Sequence, residues 1–400
     1  MSFNEIYLDN SATTKCDEDV AAIMMKAYTQ DYGNPSSVHQ KGMDAEKYIR
    51  AALEEISATL KCDRKEIIFT SGGTESDNLA LIGAAYAQRR LGNRIITSCF
   101  EHPAILYTLK KLAAEGFDVV YLPVDGKGMI SLEDLKNALT PDTILVSIMA
   151  VNNEIGTVQP LEEAGDLIKR LCPKAYFHTD AVQGYGKIPL NVKKAKLDLI
   201  SISSHKLHGP KGMGFLYVKE GVKLIPQITG GGQQRDIRSG TENVPGIAGL
   251  GLASHNAYTN FDETVKRLYG LRNFFIEEIT KKLDAVRING IGITDNKGHI
   301  AGMSCCVCAP HIISLSVQGV RAEVLVHALE QKNIYVSSGS ACSSNRPSTS
   351  GTLYAIGLPN DLLDSTVRIS MSKYTTKEEL ENTVSALLEM VPKLRKYTVH

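Results

Sequence analysis

Residues 175–212 read AYFHTDAVQGYGKIPLNVKKAKLDLISISSHKLHGPKG. Two β-rich runs, AYFHTD (175–180) and LDLISIS (197–203), each lead into a polar cluster, HTDAVQ and SSHKLHGPKG. Outward from here the same unit recurs. EIIFT (66–70), RIITS (94–98), DVVYLPV (118–124) and TILVSIMAV (143–151) read as strands, and helical patterns fill about 75–91, 103–116, 131–139 and 161–171. Several of these runs lack polar alternation, the pattern of strands covered on both faces. Strand and helix in alternation imply an open, mostly parallel α/β sheet flanked by helices. Ligands of such sheets gather at the carboxyl ends of the strands. TSGGTES, EHP and VNNEIG follow three of the other strands. Five polar clusters after five strands of one sheet imply a single shared pocket.

The rest of the chain reads as a smaller α+β unit. A helical pattern over about 245–283 leads into HIISLSV (311–317), a helix at 322–332, IYVSS (334–338), a long loop at 339–351, TVRISMS (366–372) and a last helix from about 376. The expected division is a large α/β domain at 15–260, with 1–14 and 261–400 forming a small domain that carries the loop. Two domains suit a length of 400 residues, more than one core normally organises.

Lys plus Arg and Asp plus Glu are 44 each, so the balance points to neither nucleic acid nor a membrane surface as the main partner. The N-terminus MSFNEIYLDNSATT lacks a basic stretch followed by an apolar core, and no apolar run nears the ~18 residues of a membrane span. A cytoplasmic protein is therefore expected, and its eight cysteines are expected to be reduced thiols. Cys305, Cys306 and Cys308 cluster as C-C-V-C, with His311 the one nearby histidine. No second ligand pair follows at metal-site spacing, so small residues on a strand or loop are expected there and no metal is assigned.

Lys206, in the turn after the strand 197–203, is placed to form a Schiff base with an aldehyde cofactor, although a lysine in a turn reads equally as a solvated surface residue. Asp180 ends its own strand. A carboxylate there can sit beside the ring nitrogen of pyridoxal phosphate and keep it protonated; it can also cap the helix that follows. Gln183 lies one helical turn on and faces the same pocket. TSGGTES offers backbone N–H groups at a helix start, with Gly73 and Thr74 the expected phosphate contacts. Its spacing fits neither a Walker A loop nor a dinucleotide fingerprint. His102 in EHPA can stack on a ring and shuttle protons, or serve simply as a satisfied loop histidine. Asn153 in VNNEIG offers an amide near the ring, or a turn. Cys342 in SSGSACSS sits among small residues that restrict the backbone little, so its thiol can travel. A nucleophilic role there requires a thiolate.

Taken together, YLDNSATT, YGNPSSVH, TSGGTESDN, EHPAIL, VNNEIGTVQP, HTDAVQ, SSHKLHGPKG, GGGQQRDIRSGTEN and SSGSACSS resemble the cysteine desulfurases, fold-type I pyridoxal-phosphate enzymes of the aminotransferase class V group. The resemblance spans about residues 6–375, and SSGSACSS resembles the subgroup with a long mobile cysteine loop. It implies that Lys206 is the Schiff-base lysine, that Asp180 pairs with the pyridinium nitrogen, and that His102 stacks on the ring. It assigns Gln183 and Asn153 to the ring oxygen. Gly73, Thr74, Ser203 and His205 would hold the phosphate, with Thr241 reaching across from a second subunit of a homodimer. Asn34 and Arg368 would bind the substrate carboxylate, a role that suits the two-pronged guanidinium, although an arginine in a strand can also be a plain structural ion pair. Cys342 would take sulfur from L-cysteine as a persulfide, leaving L-alanine, for an acceptor such as an iron–sulfur scaffold or a tRNA-thiolation enzyme.

Ser348-Thr349 stands where the family usually has Ser-His, and Met371 and Ser372 stand where Leu and Gly are more usual. Neither change removes a catalytic group. A selenocysteine lyase, a class V aminotransferase, and a sulfur-carrier scaffold with slow turnover stay open at this stage. The intact lysine, aspartate, arginine and cysteine set argues against the scaffold.

Overall fold

The computed structural model describes residues 5–300, 306–338 and 350–397. Twelve strands occur among them: β1 (Ile6–Tyr7), β2 (Ile67–Thr70), β3 (Arg94–Ser98), β4 (Asp118–Leu122), β5 (Thr143–Ser147), β6 (Tyr176–Asp180), β7 (Leu199–Ser203), β8 (Gly214–Val218), β9 (Val286–Asn289), β10 (Ile312–Val317), β11 (Ile334–Tyr335) and β12 (Thr366–Ser370). The large sheet has the order β2-β8-β7-β6-β5-β3-β4. Only β8 runs against its neighbours, so the other six strands end at one edge. The mostly parallel α/β sheet is thus as expected.

β8 was not anticipated. GFLYV follows the SSHKLHGPKG cluster directly and turns back between β2 and β7, buried along its whole length. Gly214 opens it where a Cβ would come within 2.4 Å of the Ile202 carbonyl oxygen and 2.7 Å of the Gly72 backbone. Backbone atoms at that separation cannot yield without moving the turn after β2. Gly214→Ala is expected to cost about 1–3 kcal/mol of stability, as overpacking does, and a thermal melt of the purified protein checks it.

The expected elements keep their type with trimmed ends, whereas helices Glu18–Thr29 and Gln40–Leu60, the short helices Gly351–Ala355 and Asn360–Leu363, and strands β1 and β9 were, like β8, not anticipated. Glu66 belongs to a 3₁₀ turn closed by a capping box with Asp63, so β2 starts one residue late. β5 ends at Ser147, although the Ile148 and Ala150 N–H groups still donate to the His178 and Asp180 carbonyls of β6 before the turn that carries Asn152 and Asn153. The long pattern at 245–283 is two helices, Val244–Tyr258 and Phe261–Lys282, broken where Asn260 adopts φ 57°. A left-handed residue cannot continue a right-handed helix. No helix among the described residues is long and apolar enough to cross a membrane.

Apolar side chains cover both faces of the large sheet. A separate core gathers around β10 and β12, between helices Phe261–Lys282 and Lys377–Arg395. Ile6 and Leu8 join this second core, and β1 pairs in parallel with β11, whereas helix Val244–Tyr258 packs in the first. We propose, accordingly, that 1–14 and 261–400 form one unit and 15–260 the other.

Candidate active site

A cavity of about 210 Å³ opens at the carboxyl edge of the large sheet. Of the residues singled out from the sequence, Gly73, Thr74, His102, Asn153, Asp180, Gln183, Ser203, His205 and Lys206 all line it. The clusters after β2, β3, β5, β6 and β7 do converge.

One wall is the start of helix Gly73–Gln88. Gly72 precedes it at φ 153°, a backbone setting that favours glycine. The Thr70 and Ser76 hydroxyls bond each other at 2.7 Å, and the Ser71 N–H donates to Glu75, which Arg238 holds at 2.8 Å. The turn is therefore rigid, with the first N–H groups of the helix left for an anion. Ser203 and His205 stand opposite. His205 bonds the Thr13 hydroxyl at 3.1 Å, and burial, then the lysines 206, 211 and 187, push its pKa down to about 4. It is a neutral ring at pH 7.

Asp180 ends β6 and accepts a hydrogen bond from the Val182 N–H at 2.9 Å. Burial raises its pKa, while His102 and Lys206 oppose the rise. The His102 Nδ1 accepts from the Ala104 N–H, capping helix Pro103–Ala114. Its capping and cavity roles coexist, because the ring still lines the pocket. Gln183 donates to the Ser11 carbonyl at 3.0 Å and meets the His311 Nε2 at 3.4 Å. His311 is thus fully buried beside the site rather than joined to the cysteines. Cys306 contacts the Tyr269 hydroxyl and the Cys308 carbonyl instead.

Lys206 occupies the 3₁₀ turn Ser204–Lys206 just past β7. Its Nζ donates to the Ser11 carbonyl at 2.5 Å and the Ala12 carbonyl at 2.8 Å. The YLDNSATT segment therefore packs against the amine through two main-chain carbonyls. A larger cleft of about 910 Å³ adjoins at Lys206, lined by Asp17, Lys187, His208 and Tyr374 among others. It holds neither Asp180 nor Gly73 and Thr74, which line the smaller cavity instead.

Three of the expected residues lie outside that lining. Arg368 is 2% exposed on β12; its Nη1 donates to the Asn153 carbonyl and its Nη2 pairs with Asp9, both at 2.9 Å. It stands one residue behind the cavity wall. Asn34 is exposed, its side chain closing a short turn onto the Ser36 N–H. Thr241 is also exposed. Cys342 falls outside the described residues.

Four polar groups at or near the site went unnoticed in the sequence. Asp77 lies one helical turn after Gly73 and Thr74 and also lines the cavity. His178, inside β6, has both ring nitrogens on serines, Ser147 and Ser201, at 2.9 Å, and burial pushes its pKa down to about 3. Glu154 accepts from the Ser350 hydroxyl at 2.5 Å, next to the cysteine segment.

Glu101 is the fourth. It accepts from the Ser98 hydroxyl at 2.5 Å and from the Met149 N–H at 2.9 Å, and burial raises its pKa from 4.5 to about 8. The folded protein then holds this proton up to about pH 8, and the unfolded chain releases it above about 4.5. More protons are bound in the folded state across that window, so stability falls as pH rises through it. Glu101→Gln, which keeps the accepting oxygen, is expected to flatten this fall. Urea denaturation at pH 5, 6.5 and 8 measures it.

Comparisons with known proteins agree with this geometry. The family model for aminotransferase class V matches residues 6–383. The cysteine desulfurase IscS of Methanosarcina thermophila is 42% identical over 390 residues, covering 98% of this chain and 93% of that protein. A putative cysteine desulfurase, IscS 1 of Bacillus subtilis, is 43% identical over 390 residues, covering 97% and 99%. Among solved structures, a NifS-like protein superimposes with a TM-score of 0.88 at 37% identity, covering 98% of this chain and all of that one. SspA in complex with cysteine superimposes with a TM-score of 0.78 at 31% identity, covering 93% and 100%.

Proposed function

The chain belongs to the aminotransferase class V family and is a cysteine desulfurase, and from that premise we propose that its 210 Å³ cavity holds pyridoxal phosphate and works on L-cysteine. The observation that carries the cofactor assignment is the convergence, in one cavity, of a helix start, a buried carboxylate and an amine. The residues present fit the group. The helix start at Gly73 and Thr74, with Ser203 and His205, suits a phosphate. Asp180 suits a ring nitrogen, Asn153 and Gln183 suit the ring oxygen, and the His102 ring suits a stacked aromatic. When bound, the cofactor supplies an electron sink for the charge left by loss of the substrate α-proton.

The chain's own groups do the rest. Lys206 Nζ is the group that would hold the cofactor by a covalent link to its aldehyde carbon. Arg368 and Asn34 bind the substrate carboxylate; Asp9 shares its Arg368 partner until then. The Cys342 thiolate attacks the substrate sulfur. One sulfur–sulfur bond forms, the substrate carbon–sulfur bond breaks, and the products are L-alanine and a Cys342 persulfide. The acceptor is a sulfur-carrying partner such as an iron–sulfur scaffold or a tRNA-thiolation enzyme.

A homodimer completes the site, with Thr241 reaching the other subunit's phosphate. Met25, Tyr28, Tyr32, Val38 and Met43 are all exposed in one short stretch of chain, and a second copy would cover them. Asn34 lies in that stretch. The six described cysteines are all free, which suits a reducing cytoplasm. The test is a single turnover of purified holoenzyme with L-cysteine and no reductant. Alanine and protein persulfide are expected in equal amounts; alanine without persulfide would refute the cysteine relay. Selenocysteine run in parallel separates a selenocysteine lyase, which would spare cysteine.

A further inference from the structure

Beneath the cavity lie more acids than the reaction uses. Asp77 is 1% exposed and Asp180 6%. An oxygen of each lies within 4.8 Å of the other and of a ring nitrogen of His102. Two carboxylates so close and so dry do not both ionise. The surroundings choose between them. Asp180 has the Val182 N–H, with His102 and Lys206 beside it. Asp77 faces the Ser201 hydroxyl and two further acids, Asp180 and Glu101. His178, 3.7 Å from the Asp77 Oδ1, offers no positive charge, since burial pushes its pKa down to about 3. The Asp77 Oδ1 is buried and has no hydrogen-bond partner. An orphaned buried acceptor is costly, whereas a protonated oxygen there becomes a donor.

We propose that Asp77 is a positioning residue that keeps its proton and offers it to Asp180, so that the pair presents one negative charge to the ring nitrogen of the cofactor. The site thereby obtains an ionised, oriented partner for the ring without burying a second charge. The role assigned toward the cofactor rests on the reading of the cavity as the pyridoxal-phosphate site; the proton on Asp77 does not.

Two variants and one spectrum test it. Asp77→Asn keeps a neutral N–H donor. It is expected to bind pyridoxal phosphate within about threefold of the wild type and to leave unchanged the pH midpoint of the visible band. Asp77→Leu removes the donor and should weaken cofactor binding about tenfold or more, the scale of one hydrogen bond to a charged group, and move that midpoint. Infrared difference spectra of the apoprotein, wild type minus Asp77→Asn, should contain the C=O stretch of a protonated carboxyl. The proposal is overturned if that stretch is missing, if Asp77→Asn shifts the midpoint as a lost negative charge would, or if Asp77→Leu behaves as wild type. Should Asp77→Leu not fold, the infrared result and Asp77→Asn decide. A wild type that binds no pyridoxal phosphate removes the cofactor reading and leaves the infrared answer standing.

Discussion

Replacing Lys206 with alanine is expected to abolish the visible band of the bound cofactor and to lower turnover of L-cysteine by at least ~10²–10⁴-fold, the usual worth of one acid–base group even before the covalent link is considered. The amine is held by two backbone carbonyls, from Ser11 and Ala12, and lines the same cavity as Asp180. Neither carbonyl belongs to a strand or helix, so deleting the amine leaves the sheet untouched. The Lys206 main-chain carbonyl still accepts from the Lys187 ammonium in the variant. Stability should therefore change little while the spectrum and the rate collapse. Lys206→Arg sharpens the result. It restores a cation to the two carbonyls but no amine that can link to an aldehyde, and it is expected to be equally inactive. An arginine variant with a normal visible band would remove Lys206 from its role.

The large sheet was legible because most of its strands are buried on both faces, while helices such as Leu161–Leu171 expose one side. Continuous β-branched runs such as TILVS and LISIS stand out against the amphipathic patterns beside them. GFLYV was missed because it lies only three residues past Leu207–Pro210 in a polar turn, and nothing local distinguishes a returning antiparallel strand from more of that turn. Residues at strand ends were found because a polar cluster after an apolar run needs an explanation. Asp77, His178 and Glu101 were missed for the opposite reason: they lie within a helix, within a strand and beside a better candidate, where a single polar residue reads as ordinary. Position on the helix could have exposed Asp77, since Gly73, Thr74 and a residue three or four further on share one face. Arg368 was recognised through its motif, but only packing reveals that Asp9 already occupies one of its nitrogens.

Cys342→Ala should leave the visible band intact and eliminate the protein persulfide, with sulfur-dependent turnover falling by ~10²-fold or more, because the thiolate is the attacking species and no other group replaces it. Described residues bracket its reach. Ser337 exchanges backbone hydrogen bonds with Arg368 on β12, and Ser350 is held by Glu154. Four residues separate Ser337 from Cys342 along the chain. Asn153, whose carbonyl accepts from Arg368, lines the cavity. The six other described cysteines are poorly suited to substitute within this scheme: Cys306 and Cys308 pack against Tyr269, and burial raises the pKa of Cys16, Cys62, Cys99 and Cys172. Persulfide detection by mass spectrometry after one turnover checks the prediction, and a persulfide found on any of those six in Cys342→Ala would displace Cys342 from the mechanism.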